Sequence, residues 1–191
     1  MRTTIWKFHG KLLACLSIFL LLAACQHLPP APHPADAAAA DHLLQLIAQR
    51  LDVAPMVAKA KWNSGGAVND PPREQLILDA VTAQASGLDA VFVRRFFQAQ
   101  FDAGKALQLG LLAQWRQQGA GKFSDAPDLG RDVRPLLDSL TPQLIASLRQ
   151  MQPLLTEPGM RSYIENRSAS IVSADFDGLP RRMAVAGLFA N

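Results

Sequence analysis

Arg50, Lys61, Asp70, Arg73, Glu74 and Gln108 are polar side chains set into otherwise apolar helical stretches of the sequence. Together they read as a pocket for a small dianion. A guanidinium clamps a carboxylate through its fork, an ammonium supplies a point charge, and a primary amide donates a hydrogen bond without carrying charge. Arg50 and Lys61 are eleven residues apart, which at roughly 100° per residue returns them to within about 20° of one another, some 16 Å apart along the axis. Leu43, Ile47, Ala54 and Val57 lie on the same face, so both cations interrupt the stripe that should pack inward and need a partner there. The plainer alternative is that both snorkel to water past their apolar stems or meet surface carboxylates.

The elements that must position these groups are all helical. Asn69-Asp70-Pro71-Pro72-Arg73-Glu74 is a helix start: Asp70 is a good N-cap, Pro71 sits where its missing N–H costs nothing, and Leu76, Ile77, Ala80 and Val81 follow periodically. Asp70 and Glu74 could pass for paired catalytic carboxylates, but at this spacing they are more simply a cap and a first-turn acid complementing the helix dipole. On the next helix Phe97, Phe101, Gly104, Gln108 and Leu112 form an apolar stripe in which Gln108 is the polar member. Periodicity predicts an all-α single domain of about six helices: Ala39 to Trp62 with a kink at Pro55, Pro71 to Ser86, Ala90 to Gln118, Val133 to Leu155 interrupted near Pro142, Gly159 to Val172, and Leu179 to Phe189. Gly87, Gly119 and Gly121 read as stops, and Asp89 and Asp177 as caps. Within a domain spanning 39–191, the loop from Gly119 to Asp128 joins a half at 39–118 to a second helical half at 129–191 that packs over it.

The N-terminus is a targeting segment. Arg2, Lys7 and Lys11 precede an apolar run from Leu12 to Ala24 that is short for a permanent span. Leu22-Ala23-Ala24-Cys25 resembles a bacterial lipoprotein box, so residues 1–24 are expected to be removed and Cys25 to carry lipid. An ordinary secretory signal with an incidental cysteine is the alternative. Residues 25–38, Pro- and Ala-rich, read as an extended tether. This places the domain outside the cytoplasm, in the periplasm, anchored through its N-terminal lipid alone. Loss of the signal removes three cations and no acids, so the formal charge falls from +3 to 0 and no basic surface for nucleic acid remains. The two cysteines, Cys15 and Cys25, and the histidines His9, His27, His33 and His42 all lie in the signal, the tether or the first turn of the first helix. A Ser-His or Cys-His nucleophile would therefore have no base, a zinc site no soft or imidazole ligand, and a Gly-rich phosphate loop is not present. The residues call for no cofactor and no metal.

As a group these residues resemble the all-helical (AroQ-type) chorismate mutases, and the export signal points to their secreted, gamma subclass. The likeness runs from about Leu43 to Gln118, through Arg50-Leu51, Val57-Ala58-Lys59-Ala60-Lys61-Trp62, Asp70-Pro71-Pro72-Arg73-Glu74 and Phe96-Phe97-Gln98-Ala99-Gln100. By resemblance, Arg50 and Lys61 bind a substrate carboxylate and the breaking ether oxygen, Asp70, Arg73 and Glu74 stand at the start of the second helix, and Gln108 faces the ether oxygen. Where many relatives carry Ser or Thr one turn earlier this chain has Gly104, so a hydroxyl contact is missing or replaced by backbone or water. A further Arg of the relatives aligns, through Leu137-Asp138-Ser139-Leu140, with Gln143, near Arg134 and Arg149. The secreted relatives further imply a homodimer with a complete site in each chain.

The implied reaction, chorismate to prephenate, is unimolecular and needs none of the missing groups. The protein must hold a flexible dianion in its compact conformer and stabilise negative charge on the ether oxygen as the C–O bond breaks. Lys61 and Gln108 are suited to the oxygen, Arg50 to a carboxylate, and Glu74 to accepting from the ring hydroxyl. Arg73 either adds positive potential or holds Glu74 and Asp70 in orientation. Two other readings use the same helices: a non-catalytic envelope lipoprotein, which gives no reason for polar groups at these spacings, and a degenerate mutase fold binding a related carboxylate without turnover.

Overall fold

The computed structural model describes residues 31–190, and among these every regular element is helical. Helix α1 spans Pro34–Asp52 and α2 Ala54–Ser64. They are followed by α3 at Pro71–Gln84 and α4 at Ala90–Gln117. A π-helical turn at Leu129–Val133 runs into α5 at Arg134–Met151, and a 3-10 turn at Gln152–Thr156 precedes α6 at Met160–Ile171. A second 3-10 turn, Phe176–Gly178, opens α7 at Leu179–Ala186. The leader at 1–24, Cys25 and the first part of the tether lie outside the described residues.

Proline chemistry explains where the helices depart from the sequence reading. The predicted first helix is divided at the kink expected near Pro55 into two helices, because Pro55 lacks the N–H that would bond the Leu51 carbonyl; Met56 donates instead to the Val53 carbonyl at 3.1 Å, and Val57 resumes the regular pattern to the same carbonyl at 3.2 Å. Helix α1 starts at Pro34, inside the stretch predicted to be an extended tether, with His33 Nδ1 accepting from the Ala35 N–H. Pro142, predicted to interrupt a helix, lies within an unbroken α5. The carbonyl it leaves without a donor belongs to exposed Asp138, which water can reach. Nearby carbonyls receive side-chain donors, Thr141 Oγ1 to Leu137 and Gln143 Nε2 to Ser139, both at 2.8 Å. Asp177 is not a cap: it sits at φ 56° with its carbonyl accepting from Arg182. Asp89 does cap α4, accepting from the Phe92 N–H at 2.6 Å.

Helix α4, 28 residues long, reaches about 42 Å and forms the spine of the domain. Its inward face carries Phe92, Val93, Phe96, Phe97 and Ala103, all buried. These join Leu43, Leu44 and Ile47 of α1, Leu144 and Leu148 of α5, and Met160 and Ile164 of α6 in one continuous core. Burying each such side chain stabilises by about 1.5–3 kcal/mol before chain entropy is counted. Helix α4 packs most extensively on α7, where Gly187 permits backbone contact: a Cβ there would lie 2.5 Å from Ala99 Cβ and 3.2 Å from Phe96 Cα. Gly187→Ala is therefore expected to destabilise the domain by about 1–3 kcal/mol, through overpacking that neither backbone can relieve. A shift of the urea midpoint to lower concentration with unchanged slope measures it.

Candidate active site

The site is built at the meeting of α1, α2, α3, α4 and α5. Arg50 ends α1, and α2 continues after the Pro55 break so that Lys61 opens on the same cavity. Gly65, at φ 73°, stops α2 one turn later. The end of α2 is tied to the loop 119–128: Asn63 and the Phe123 backbone exchange hydrogen bonds of 2.7 and 2.8 Å, and Trp62 Nε1 donates to the Gly121 carbonyl at 3.0 Å. Trp115 packs between Trp62 and Phe123, with ring centroids 5.8 and 4.6 Å away. Asp70 caps α3 by accepting from the Arg73 N–H at 3.2 Å, which sets the first turn of α3 against α4.

Two adjoining chambers result. The smaller, of about 190 Å³ and inner only in lying against α4, is lined by Arg50, Val57, Lys61, Asp70, Arg73, Glu74, Phe101, Gly104, Lys105 and Gln108 among others. An outer one of about 590 Å³ shares Arg50, Val57, Lys61, Asp70, Arg73 and Phe101, and adds Leu129, Val133, Arg134, Asp138 and Thr141. Their joint size suits a small molecule.

Inside, Arg50 Nε, Gln100 Oε1 and Gln108 Oε1 are buried without a protein partner among the described residues. Among the described residues Arg50 has no carboxylate within ion-pair distance, its Nε is buried and unbonded, and its guanidinium lies 5.4 Å from the Phe101 ring centre. Burial pushes its pKa down to about 10. Lys61 donates to the Val68 carbonyl at 3.1 Å. Burial lowers its pKa from the ordinary lysine range; Asp70 and Glu74 oppose that shift and Arg73 adds to it. Gln108 is 8 % exposed, and its Oε1 is buried with no partner. The Arg50 and Lys61 cations, with the N–H donors of Gln108 Nε2, can receive an anion and stabilise charge appearing on one of its oxygens, to which the Gln108 Oε1 acceptor contributes nothing. It offers no nucleophile with a base.

Arg50, Lys61, Asp70, Arg73, Glu74, Gly104 and Gln108 thus meet in one cavity, whereas Gln143 does not. It is exposed and donates to its own helix at Ser139. Arg134, Leu137, Asp138 and Thr141 occupy one face of α5 at i, i+3, i+4 and i+7 and line the outer chamber; nine residues past Arg134, Gln143 points about 180° away. Arg149 is also elsewhere, donating to the Gln84 and Ser86 carbonyls at the end of α3. Arg73 makes no ion pair among the described residues, which leaves it as a source of positive potential rather than as the group orienting Glu74.

Two groups escaped the sequence reading. Lys105 binds Glu74 at 2.8 Å, and Gln100, 2 % exposed, donates to the Ala184 carbonyl of α7 at 3.0 Å while its Oε1 stays unpartnered. Both line the inner chamber, so Gln108 is not the only polar member of that face. Lys105 lies four residues after Phe101 and three before Gln108, and this spacing was the available signal.

An unpaired guanidinium inside the protein is a stability defect when no ligand is bound. Folding holds Arg50 with a depressed pKa, so its charged form costs free energy at every pH below about 10. Arg50→Met, of similar length and apolar, is expected to stabilise the ligand-free protein at pH 7 by about 1–3 kcal/mol, read as a higher midpoint in urea. The gain should hold up to about pH 10 and shrink only above it, as Arg50 of the folded protein gives up its proton.

Comparison with known proteins agrees with this geometry. Residues 38–109 match the family described as chorismate mutase type II. The secreted chorismate mutase of Mycolicibacterium smegmatis is 33% identical over 141 residues, covering 73% of this chain and 77% of that one. The crystal structure of chorismate mutase from Burkholderia thailandensis aligns with TM-score 0.68 and 36% identity, covering 78% of this chain and 96% of the other. That from Burkholderia phymatum gives 0.70 and 28%, covering 81% and 95%. With a relative one-third identical over most of both chains, this protein belongs to the all-helical type II chorismate mutases.

Proposed function

We propose that this protein rearranges chorismate to prephenate with the groups of the inner chamber, and the observation that carries the reading is Arg50 and Lys61 converging there with Gln108, neither cation within ion-pair distance of a carboxylate among the described residues. In the rearrangement the ether C–O bond breaks as a C–C bond forms within one molecule, so no proton, electron or leaving group is exchanged with the protein. Arg50 clamps one carboxylate of the dianion, and Arg134 and Arg73 supply charge toward the other from the outer chamber. Lys61 and Gln108 meet the ether oxygen, where negative charge grows. Glu74 accepts from the ring hydroxyl. Val57 and Phe101 keep water out, so the compact conformer is selected and the electrostatic terms are strong.

The chain is an exported mutase in this reading, in line with relatives named as secreted. Its finer address is the periplasm, with lipid on Cys25, as a homodimer with a complete site in each chain. The Leu22-Ala23-Ala24-Cys25 sequence supports the anchor and the resemblance to secreted relatives the homodimer, and mass spectrometry finding an unlipidated N-terminus beyond residue 25 would remove the anchor.

Purified protein should consume chorismate in a spectrophotometric assay. Lys61→Ala is expected to lower kcat by about 10²–10³, the effect of losing about 3–4 kcal/mol of transition-state stabilisation, while Arg50→Ala should raise KM as well. Unchanged turnover in both variants would defeat the proposal.

The pH dependence follows from Gln108, which does not titrate. The rate should stay flat from mildly acidic to mildly alkaline pH and fall as Lys61 loses its proton, below the pH at which an ordinary lysine does so. In Gln108→Glu, only the protonated acid donates, so activity should persist at low pH and fade toward neutrality. Coincident profiles for the two proteins would show that Gln108 does not face the breaking bond.

A further inference from the structure

Lys105 is the lining cation to which the rearrangement assigns no task. Its ammonium lies between two carboxylates, 2.8 Å from Glu74 Oε2 and 2.9 Å from Asp102 Oδ1. The Asp102 contact is an ordinary i,i+3 pair on one helix and would mean little alone. Glu74, however, belongs to α3, and both partners of the inter-helix pair are about four-fifths covered, with side-chain exposures of 21% and 19%. Arg73, the neighbouring cation, contacts neither carboxylate within ion-pair distance among the described residues.

Two further features make that pair consequential. Gly104 leaves open space on this wall: a Cβ there would meet nothing nearer than Gln108 Nε2, at 4.0 Å. With no side chain at that position, the polar wall of α4 consists of Lys105, Gln108 and Gln100. Of the cations that line the inner chamber, Arg50, Lys61, Arg73 and Lys105, Lys105 is the one within ion-pair distance of Glu74 among the described residues; without it that carboxylate would face an incoming dianion with no ion-paired cation.

The geometry points to Lys105 as a positioning residue: bridged to Asp102 on its own helix, it fixes Glu74 of α3 as the acceptor for the substrate's ring hydroxyl and cancels the repulsion between that carboxylate and the dianion. This rests on the reading of Glu74 given under the proposed function.

The test is a double-mutant cycle in the full-length protein, using chorismate as the probe: Lys105→Met, Glu74→Gln and both together, with Lys105→Arg as the conservative variant. Lys105→Met should lower kcat/KM about 10–100-fold, mostly through KM, as expected for losing a hydrogen bond to a charged group. Lys105→Arg should restore most of it. In the Glu74→Gln background the same Lys105→Met change should cost less than about threefold, because its effect is routed through Glu74. Losses that multiply across the two sites would overturn the proposal, as would Lys105→Met kinetics equal to wild type. A purely structural lysine would lower folding stability and kcat alike without coupling to Glu74, and circular dichroism of each variant reads that directly. Should Lys105→Met fail to fold, Lys105→Gln carries the same comparison. A wild-type protein that leaves chorismate untouched would sink the mutase reading and this inference together, whereas an active wild type with an indifferent Lys105→Met sinks this inference alone.

Discussion

The rest of the structure depends on a guanidinium held inside a helical bundle with no carboxylate beside it. Arg50 lies among Val53, Ala54 and Phe101, and no carboxylate among the described residues is paired with it. Such an arrangement is unfavourable in the empty protein and favourable once an anion arrives, so binding free energy is set aside in the fold and recovered on ligation. Lys61 follows the same logic in milder form, because it borrows the Val68 carbonyl and feels Asp70 and Glu74. The chemistry proposed requires this preorganisation: with no proton to move, rate comes from charges already in place when the ether oxygen becomes negative.

Holding these charges still is the work of contacts outside the chamber. Lys61 stands on the last turn of α2, and Trp62 and Asn63 beside it are bonded to the loop 119–128. Asp70 fixes the start of α3, which delivers Glu74 to Lys105. Gln100 connects the inner wall to α7 through Ala184, so the C-terminal helices brace the chamber. Arg134 follows a π-helical turn whose N-terminal N–H groups at Gly130 and Arg131 are capped by Asp128. Chamber and scaffold are therefore one packed unit, and residues far from any ligand control its geometry.

What was legible in the sequence is what depends on a single helix. The eleven-residue spacing of Arg50 and Lys61, the Asp70-Pro71 start and the stripe leading to Gln108 all follow from local periodicity, and Arg50, Lys61, Asp70 and Gln108 line the inner chamber. What was not legible depends on the rotation of one helix against another. Alignment put Gln143 in the site, but α5 is turned so that Arg134 faces the outer chamber and Gln143 faces water. Lys105 was hidden for the same reason: its significance comes from Glu74, 31 residues away on another helix. Pro142 shows the limit of a local rule, since an exposed carbonyl and donating side chains let α5 run through it.

The central claim is that Arg50, Lys61 and Gln108 are already placed for the anion that forms as the ether bond breaks. A crystal structure with a bicyclic dicarboxylate mimic of the transition state tests it most directly. One carboxylate should lie on the Arg50 guanidinium, and the oxygen replacing the ether oxygen should sit about 3 Å from both Lys61 Nζ and Gln108 Nε2, with these side chains little moved. A mimic bound outside the inner chamber, or bound with that oxygen turned away from Lys61 and Gln108, would contradict it.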